Sequence, residues 1–425
     1  MRHKADKGTN LEDVLEINRS LILRLLRQTQ ASTRVELARA SGLRQSTVTN
    51  IIHDLMNWNL VTETGTIHGN KGRRSISLSL DDRLYRVIGL RLARRFVSAG
   101  LFTLDGTLKS SRHQAIEPIE GYQQALATMK SLVADLLKEC EGRVAGIGLA
   151  TPGPLFRHQG RIALMTYFPG WDRVSIQEDL QRTFQLPVYI EHDANAAALA
   201  EWNFGPGTRR NGTMIYVAAG QGIGSGIIID GVLYEGKLGT AGEIGHMSIS
   251  LDGPRCECGH NGCLELYCSI TALLRMIREE LPTHSESTLA RRASINAKDV
   301  FTAADAGDTL AREVVRKVGR FLGFGLVNVI NVFNPQHIII GDELAQAGPV
   351  LLEAVHESVK EHTLRQIYED VSIELSTFSL DPVVVGASAL VVEELLAKPS
   401  VLHDQFDKVK PTLNKLSENG IAEGS

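Results

Sequence analysis

Four of the chain's five cysteines fall within the thirteen positions from Cys256 to Cys268, in CECGHNGCLELYC, and a histidine stands ten residues upstream in GEIGHM. This stretch restricts the fold more than any other, because thiols so close together must share a metal, pair as disulfides or be buried as small apolar side chains. An odd number of cysteines, clustered within a 425-residue chain, does not make the framework of a small secreted domain. Metal binding is the better reading. Cys140, in LLKECEGR, stands apart and reads as a half-buried helix residue.

At 43% hydrophobic and 22% charged residues the chain can bury a sizeable core, and its length suits two or three domains. The N-terminal MRHKADKGTNLEDV is basic but has no apolar core of a leader, and no window approaches the roughly eighteen uncharged apolar residues of a membrane span. We therefore expect a cytoplasmic protein with no membrane partner. The net charge of −4 hides an asymmetry: residues 1–80 carry 12 Lys/Arg against 7 Asp/Glu, giving +5, and the remainder carries −9. A basic head on an acidic body points to a polyanion as the partner of the head.

In that head, Leu11, Val14, Leu15, Ile17, Leu21, Ile22, Leu25 and Leu26 recur at three- and four-residue steps, which predicts an amphipathic helix from Leu11 to Arg27 that links head to body. Ser32 or Thr33 can cap a short second helix through Ala40, with Glu36 completing a capping box. Gly42 allows a sharp turn, and a third helix follows from about Gln45 to Asn57 with Val48, Ile51, Ile52 and Leu55 inward. Helix, turn, helix of this kind presents Arg44, Gln45, Ser46, Thr47, Thr49 and Asn50 at the start of a recognition helix, where short or forked polar side chains suit base edges and phosphates. Strand-like flanks, Leu60 to Ile67 and Ser75 to Leu80, enclose the basic tip from His68 to Arg74, so we expect a wing that reaches DNA through Lys71, Arg73 and Arg74. The bland alternative is a three-helix cap with a basic hairpin that touches no DNA.

After Leu80 the pattern becomes α/β. RVIGLRLA and FVSAGLFTLDG read as a hairpin, YQQALATMKSLVADLLKEC as a helix, RVAGIGLATPGPL as a strand, VYIEHDANAAALAEWNFG as strand, loop and helix, and TMIYVAAGQGIGSGIIIDG as a glycine-rich hairpin. VNVINVFNPQHIIIG supplies a helix and a last buried strand. Here the residues carry a family. GQGIGSGIIIDG, TAGEIGHMSISLDGPRCECGHNGCLELYCS, EHDANAAALAE and VNVINVFNPQHIIIG together resemble the ROK family of bacterial sugar kinases and sugar-responsive repressors, nearly to Leu396. The resemblance implies a two-lobed, actin-like ATPase body with a sugar cleft between lobes, and the winged head resembles the repressor branch. The expected domains are a winged helix-turn-helix at 1–80, a sugar-kinase-like body at 81–396 with a zinc loop at 246–263, and a disordered tail at 397–425.

The resemblance also assigns roles. His246, Cys256, Cys258 and Cys263 become the Cys3His set of a closed structural zinc site, and Cys268 falls outside it. Asp193, Glu243, His246 and Glu265 become the residues that hold sugar hydroxyls, with one His246 nitrogen on zinc and the other toward a sugar oxygen. Glu243 and Glu265 could instead only brace the metal loop, and Asp193 could be a helix N-cap.

The chain departs from the family's kinases at several points. His192 replaces the asparagine before the catalytic aspartate. Gly89-Leu-Arg-Leu-Ala-Arg-Arg-Phe96 has lost the aspartate and glycines of the first phosphate turn and brings in Arg91, Arg94 and Arg95; Gln221 replaces a threonine in the second; Gly341-Asp342-Glu343 lacks paired glycines. Phosphoryl transfer needs those parts, so we expect no catalytic residue, with Asp193 kept for sugar. The sequence thus predicts a non-catalytic, sugar-responsive regulator, more a repressor than an activator, that binds operator DNA as a homodimer or homotetramer and takes a sugar or sugar phosphate. Its alternatives are an active sugar kinase with an appended DNA-binding head, and a regulator governed by a protein partner.

Overall fold

In the computed structural model, residues 10–68, 74–117, 121–153, 155–156, 161–162, 171, 174–205 and 212–402 are described. The chain divides into two compact units, one of Met1–Leu149, Val174–Ile190 and Ala387–Ser425, the other of Ala150–Arg173 and Glu191–Gly386.

The first unit opens with α1 (Leu11–Thr29), whose cap residue Asn10 accepts the Asp13 amide while the Asp13 carboxylate accepts the Asn10 amide. A two-residue strand β1 (Ser32–Thr33) leads into α2 (Arg34–Ser41), capped by Thr33 with Glu36 reciprocating. Gly42, at φ 71°, takes the left-handed turn that a side chain would resist. Then α3 (Gln45–Asn57) begins where the sequence placed it. The hairpin β2 (Val61–His68) and β3 (Arg74–Leu80) pairs antiparallel, and β3 also takes β1, giving the order β1-β3-β2. Ile22, Leu23 and Leu26 of α1, Leu37 of α2, and Val48, Ile51, Ile52 and Leu55 of α3 are buried together with Leu60 and Leu78. At about 1.5–3 kcal/mol for each large side chain removed from water, this small core holds the three helices on the sheet.

The same unit continues with β4 (Tyr85–Leu92), β5 (Phe96–Thr103), β6 (Leu108–Ala115), α4 (Gly121–Glu139) and β7 (Arg143–Thr151). Cys140 lies just past the end of α4, half-buried. A short ribbon, β8 (Leu155–Phe156) with β9 (Arg161–Ile162), belongs to the second unit; α5 (Ile176–Phe184) and β10 (Val188–His192) return the chain to the first sheet.

The second unit carries α6 (Asp193–Phe204), then β11 (Thr213–Ala219), β12 (Ile223–Ile229) and β13 (Val232–Leu233). Next come α7 (Glu265–Cys268), α8 (Ile270–Glu280), α9 (Ala297–Asp305) and α10 (Thr309–Phe333), followed by β14 (His337–Gly341), α11 (Gly348–His362), α12 (Arg365–Asp370) and β15 (Ser372–Leu375). Met214, Ile215, Tyr216 and Val217 in β11, like Ile338, Ile339 and Ile340 in β14, are buried in succession, as a strand covered on both faces requires. The last element, α13 (Pro382–Ala397), begins in this unit and ends in the first.

The two five-stranded sheets run β6-β5-β4-β7-β10 and β13-β12-β11-β14-β15. Counted within each sheet, both orders are 3-2-1-4-5: one topology is used twice.

Two expectations are corrected. No loop separates β10 from α6, because Asp193 follows His192 directly into the helix. Residues 397–402 are not a disordered tail: Leu402 is fully buried, and the Ser400 amide donates to Glu16 of α1 at 2.8 Å. The rest of the expected tail lies outside the described residues.

Candidate functional site

On the head, Arg44 is the cap residue of α3, and Arg44, Gln45, Ser46, Thr49 and Asn50 are exposed, with Thr47 half-buried. The Thr49 hydroxyl donates back to the Gln45 carbonyl at 2.9 Å, so it faces the same side as Gln45. The exposed face continues through His53 and Asn57, whose side chains meet at 3.2 Å. The sequence reading stopped at Asn50, although the four-residue step 45, 49, 53, 57 was available to it. Arg74 opens β3 opposite His68; Lys71 and Arg73 lie outside the described residues. Arg19 of α1 fixes the far end of α3, pairing with Asp54 at 2.6 Å and lying over the Trp58 ring.

In the second unit, His246, Cys256, Cys258 and Cys263 gather so that one ligand atom from each lies within 4.8 Å of every other. They could hold one metal ion. Cys256 Sγ is 3.7 Å from His246 Nδ1, and Cys258 Sγ is 3.5 Å from Cys263 Sγ. Local backbone bonds bring them together: the Cys256 amide donates to the His260 carbonyl, and Ser248 bridges to Cys263. Burial foremost, with the Glu265 carboxylate adding, pushes the Cys256 thiol up, and burial likewise raises Cys263. Thiolates in such a place need a cation beside them. Cys268 stays apart, buried in α7 with its thiol donating to the Leu264 carbonyl.

Glu265 joins this cluster to the neighbouring carboxylates. Its Oε1 lies 3.4 Å from His246 Nδ1 and accepts the Cys256 thiol at 3.2 Å. His246 therefore turns Nδ1 toward the cluster, leaving Nε2 as its other ring nitrogen. Glu243 precedes the 3-10 turn Ile244–His246 and is half-buried, its carbonyl accepting the His246 amide. Asp193 is the first residue of α6 and not its N-cap, a place taken by His192; the Asp193 carboxylate accepts the Ala194 amide at 2.7 Å. It lies 3.5 Å from His192 Nδ1.

One strand organises all four. Gly222, just ahead of β12, lies against the Glu265 carboxylate; within β12, Ile223 lies against Gly245, Gly224 against His192 and Ala194, and Ser225 is hydrogen-bonded to the Gly242 carbonyl. Gly226 is required by close approach: a Cβ there would lie 2.6 Å from the Ala194 carbonyl oxygen and collide with Ala198. Gly224 and Gly226, two of the glycines of GQGIGSG, thus let the start of α6, which carries Asp193, lie close against β12.

The end of the expected phosphate turn is occupied by acid. Gly220 abuts the Asp342 carboxylate, Asp342 holds a positive φ of 64°, and Gln221 Nε2 donates to Glu343 at 3.3 Å. Burial, with Asp342 adding, pushes the Glu343 carboxyl above its usual range. In the first unit, Arg91 lies over the Phe96 ring at 5.2 Å.

A family model described as ROK matches residues 87–394. The chain belongs to the ROK family. The xylose repressor of Bacillus spizizenii is 29% identical over 390 residues, spanning 90% of this chain and 97% of that one. The N-acetylglucosamine repressor of Escherichia coli O6:H1 is 30% identical over 393 residues, spanning 91% and 95%. A solved ROK family transcriptional regulator, described as a homolog of the E. coli MLC protein, superposes with a TM-score of 0.78 at 27% identity over 91% of this chain and 97% of the other. The ROK chain is accordingly an α/β protein with a winged helix-turn-helix at its N-terminus and an actin-like ATPase body. Within that ROK body no described helix is long and apolar enough to cross a membrane.

Proposed function

We propose that the chain is a sugar-responsive transcriptional repressor of the cytoplasm, whose kinase-like body binds a sugar or sugar phosphate and thereby changes the affinity of its head for operator DNA. The observation that carries this reading is the reach of the likeness. The family model begins at residue 87, whereas the repressor relatives and the solved regulator match about nine-tenths of the chain and so extend into the head. Two relatives of nearly equal identity are named for different sugars, xylose and N-acetylglucosamine, so the identity of the sugar does not transfer.

On this reading Arg44, Gln45, Ser46, Thr47, Thr49 and Asn50 meet base edges and phosphates, and Lys71, Arg73 and Arg74 meet the backbone from the wing. Two heads of a homodimer, or of the dimers in a homotetramer, read half-sites about one helical turn or a multiple apart. Asp193, Glu243, His246 and Glu265 hold sugar hydroxyls; each carboxylate accepts two, so a ligand lacking them leaves buried oxygens unpaired.

The metal is zinc in a structural role. Zinc–sulfur bonds of about 2.3 Å put tetrahedral donors about 3.8 Å apart, and the 3.5 and 3.7 Å separations here match. Three soft thiolates and an imidazole select zinc over calcium or magnesium, and four protein ligands leave no position for a catalytic water. Its contribution is to fix the loop that carries His246 and Glu265.

Catalysis is not part of this function. A triphosphate at Gly220 would meet the carboxylates of Asp342 and Glu343, and charge of like sign there opposes binding. The testing experiment titrates zinc-loaded protein with sugars and sugar phosphates, with and without ATP, reading melting temperature and then affinity for an operator selected from random DNA. A shift with one sugar, indifferent to ATP and accompanied by operator release, is expected. A shift that needs sugar and ATP together, with phosphorylated product, would overturn the reading in favour of a kinase. Release only on adding a cell extract would assign control to a protein partner.

A further inference from the structure

We infer that the outward face of α1 is a pairing surface, covered by α1 of a second copy of this chain running antiparallel to it. The inference deepens the proposed function and rests on it for the homodimer, whose two heads it joins. It starts from an inversion within α1. A surface helix ordinarily turns its apolar residues to the core and its charges to water. Here Leu11 is 78% exposed, Ile17 58%, Val14 42% and Leu21 37%, although their spacing places them in one series with the buried Ile22 and Leu26. The charges turn the other way: Arg19 pairs with Asp54, Arg27 with Glu393, and Glu16 accepts the Ser400 amide. Apolar side chains held out in water, on a helix whose charges are already matched, mark a contact face.

The spacing says what covers that face. Leu11, Val14, Asn18, Leu21, Leu25 and Gln28 follow one another at alternate steps of three and four, the seam of a two-stranded coiled coil, and none of them is charged. Asn18 and Leu25 are half-buried and Gln28 is exposed, so the seam runs the length of the helix on the side away from Leu23. A single asparagine within such a seam fixes register and the number of strands.

Charge sets the orientation. Glu12 and Asp13 stand in the first turn of α1, and Arg24 and Arg27 stand toward its end. A parallel pair would gather the acids of both copies at one end and the arginines at the other. Set antiparallel about a two-fold axis between Asn18 and Leu21, the seam stacks Asn18 on Leu21, Val14 on Leu25 and Leu11 on Gln28, each layer made twice. Arg24 then comes level with Asp13 of the second copy to within two residues' rise, about 3 Å. Its side chain is 36% exposed and lies 3.6 Å from Glu393, a loose contact that leaves it able to reach across. One helix pair is small beside the roughly 1,200–2,000 Å² of a stable interface, so it forms at the local concentration that a homodimer supplies.

The test needs neither sugar nor operator. Arg24→Lys is made in the intact, metal-loaded chain, unlabelled and isotope-labelled preparations are mixed and re-equilibrated, and a carbodiimide couples amines to adjoining carboxylates. Peptide mass spectrometry should find a mixed-label link from the introduced amine to Glu12 or Asp13. Adding Leu21→Asp, which places a charge in the seam at an outward position, should abolish that link with metal content and melting temperature retained. Sedimentation of the same samples separates the two readings: a dimer without the mixed-label link overturns this inference alone, and a monomer overturns the homodimer with it. Mixed-label links from the introduced amine to another segment, residues 403–425 included, would name a different occupant and overturn the inference as well.

Discussion

The Glu265 carboxylate lies 3.2 Å from the Cys256 sulfur, so a residue proposed to hold sugar also touches the metal loop. Loss of the metal should therefore reach the sugar site directly. Cys258→Ser and Cys263→Ser are expected to lose bound zinc and, because Glu265 then loses its fixed neighbours, to weaken sugar binding about tenfold or more. Their melting temperature should fall, since a structural metal contributes folding free energy and about 1 kcal/mol corresponds to ~2–4 °C in a unit of this size. Zinc content by mass spectrometry, beside the melting curve, checks this; full stoichiometry in both variants would contradict the site.

Arg44 and Gln45 stand exposed at the start of α3, where the proposed function places base edges. Arg44→Ala or Gln45→Ala should cost about 1–3 kcal/mol in specific operator binding and little on random DNA. Arg73→Ala, in the basic tip that the proposed function assigns to phosphate, should weaken both alike and make the salt dependence shallower. Titrations of selected and random duplexes at several salt concentrations separate the two patterns.

Gly226→Ala puts a methyl group into the Ala194 carbonyl and Ala198. The variant should lose about 1–3 kcal/mol of stability, the usual range for overpacking, and should bind sugar more weakly because α6 carries Asp193 at its start. Ser225→Ala, on the same strand, removes one hydrogen bond to the Gly242 carbonyl and adds no bulk. It serves as the control in denaturant titration.

Glu343 is pushed above its ordinary 4.5, first by burial and then by Asp342. A carboxyl raised on folding favours the folded state at pH below its unfolded pKa and loses that contribution as pH rises through the folded value. Glu343→Gln should consequently stabilise the chain at pH 7.5 relative to wild type, the difference shrinking toward zero below about pH 4.5. Urea midpoints at pH 4 and pH 7.5 decide it; a constant difference at both would refute the assignment.

The sequence carried local grammar well. Both ends of α3, the Thr33–Glu36 capping box and the turn at Gly42 were readable because neighbouring residues determine them. The Cys/His cluster was readable because thiols at short spacing have few other uses, and the four expected ligands do lie close enough together to hold one ion. What the sequence hid depends on distant partners. Asp193 as the first helical residue, rather than a cap, follows from how β10 runs into α6. The packing of Gly226 on α6 was hidden because Ala194 and Ala198 lie some thirty residues earlier in the chain. The local sequence does not show that Glu393 is partly buried in an ion pair, because its partners Arg24 and Arg27 lie more than three hundred residues away. The order of Leu402 was hidden for the same reason, since the polar sequence around it is tied down by Glu16.

The second unit is inserted in the first in two pieces, Ala150–Arg173 and Glu191–Gly386, and the first is completed only by the segment that begins at Ala387. This sets an order of assembly during synthesis. The three helices and hairpin of the head are complete once residue 80 has emerged, yet Glu393 and Ser400 arrive some 310–320 residues later, roughly 15–65 s at ordinary elongation rates. A nascent chain therefore completes the head well before it holds the residues that brace the head's first helix. A message cut short ahead of α13 would yield a head whose first helix lacks its contacts with Glu393 and Ser400.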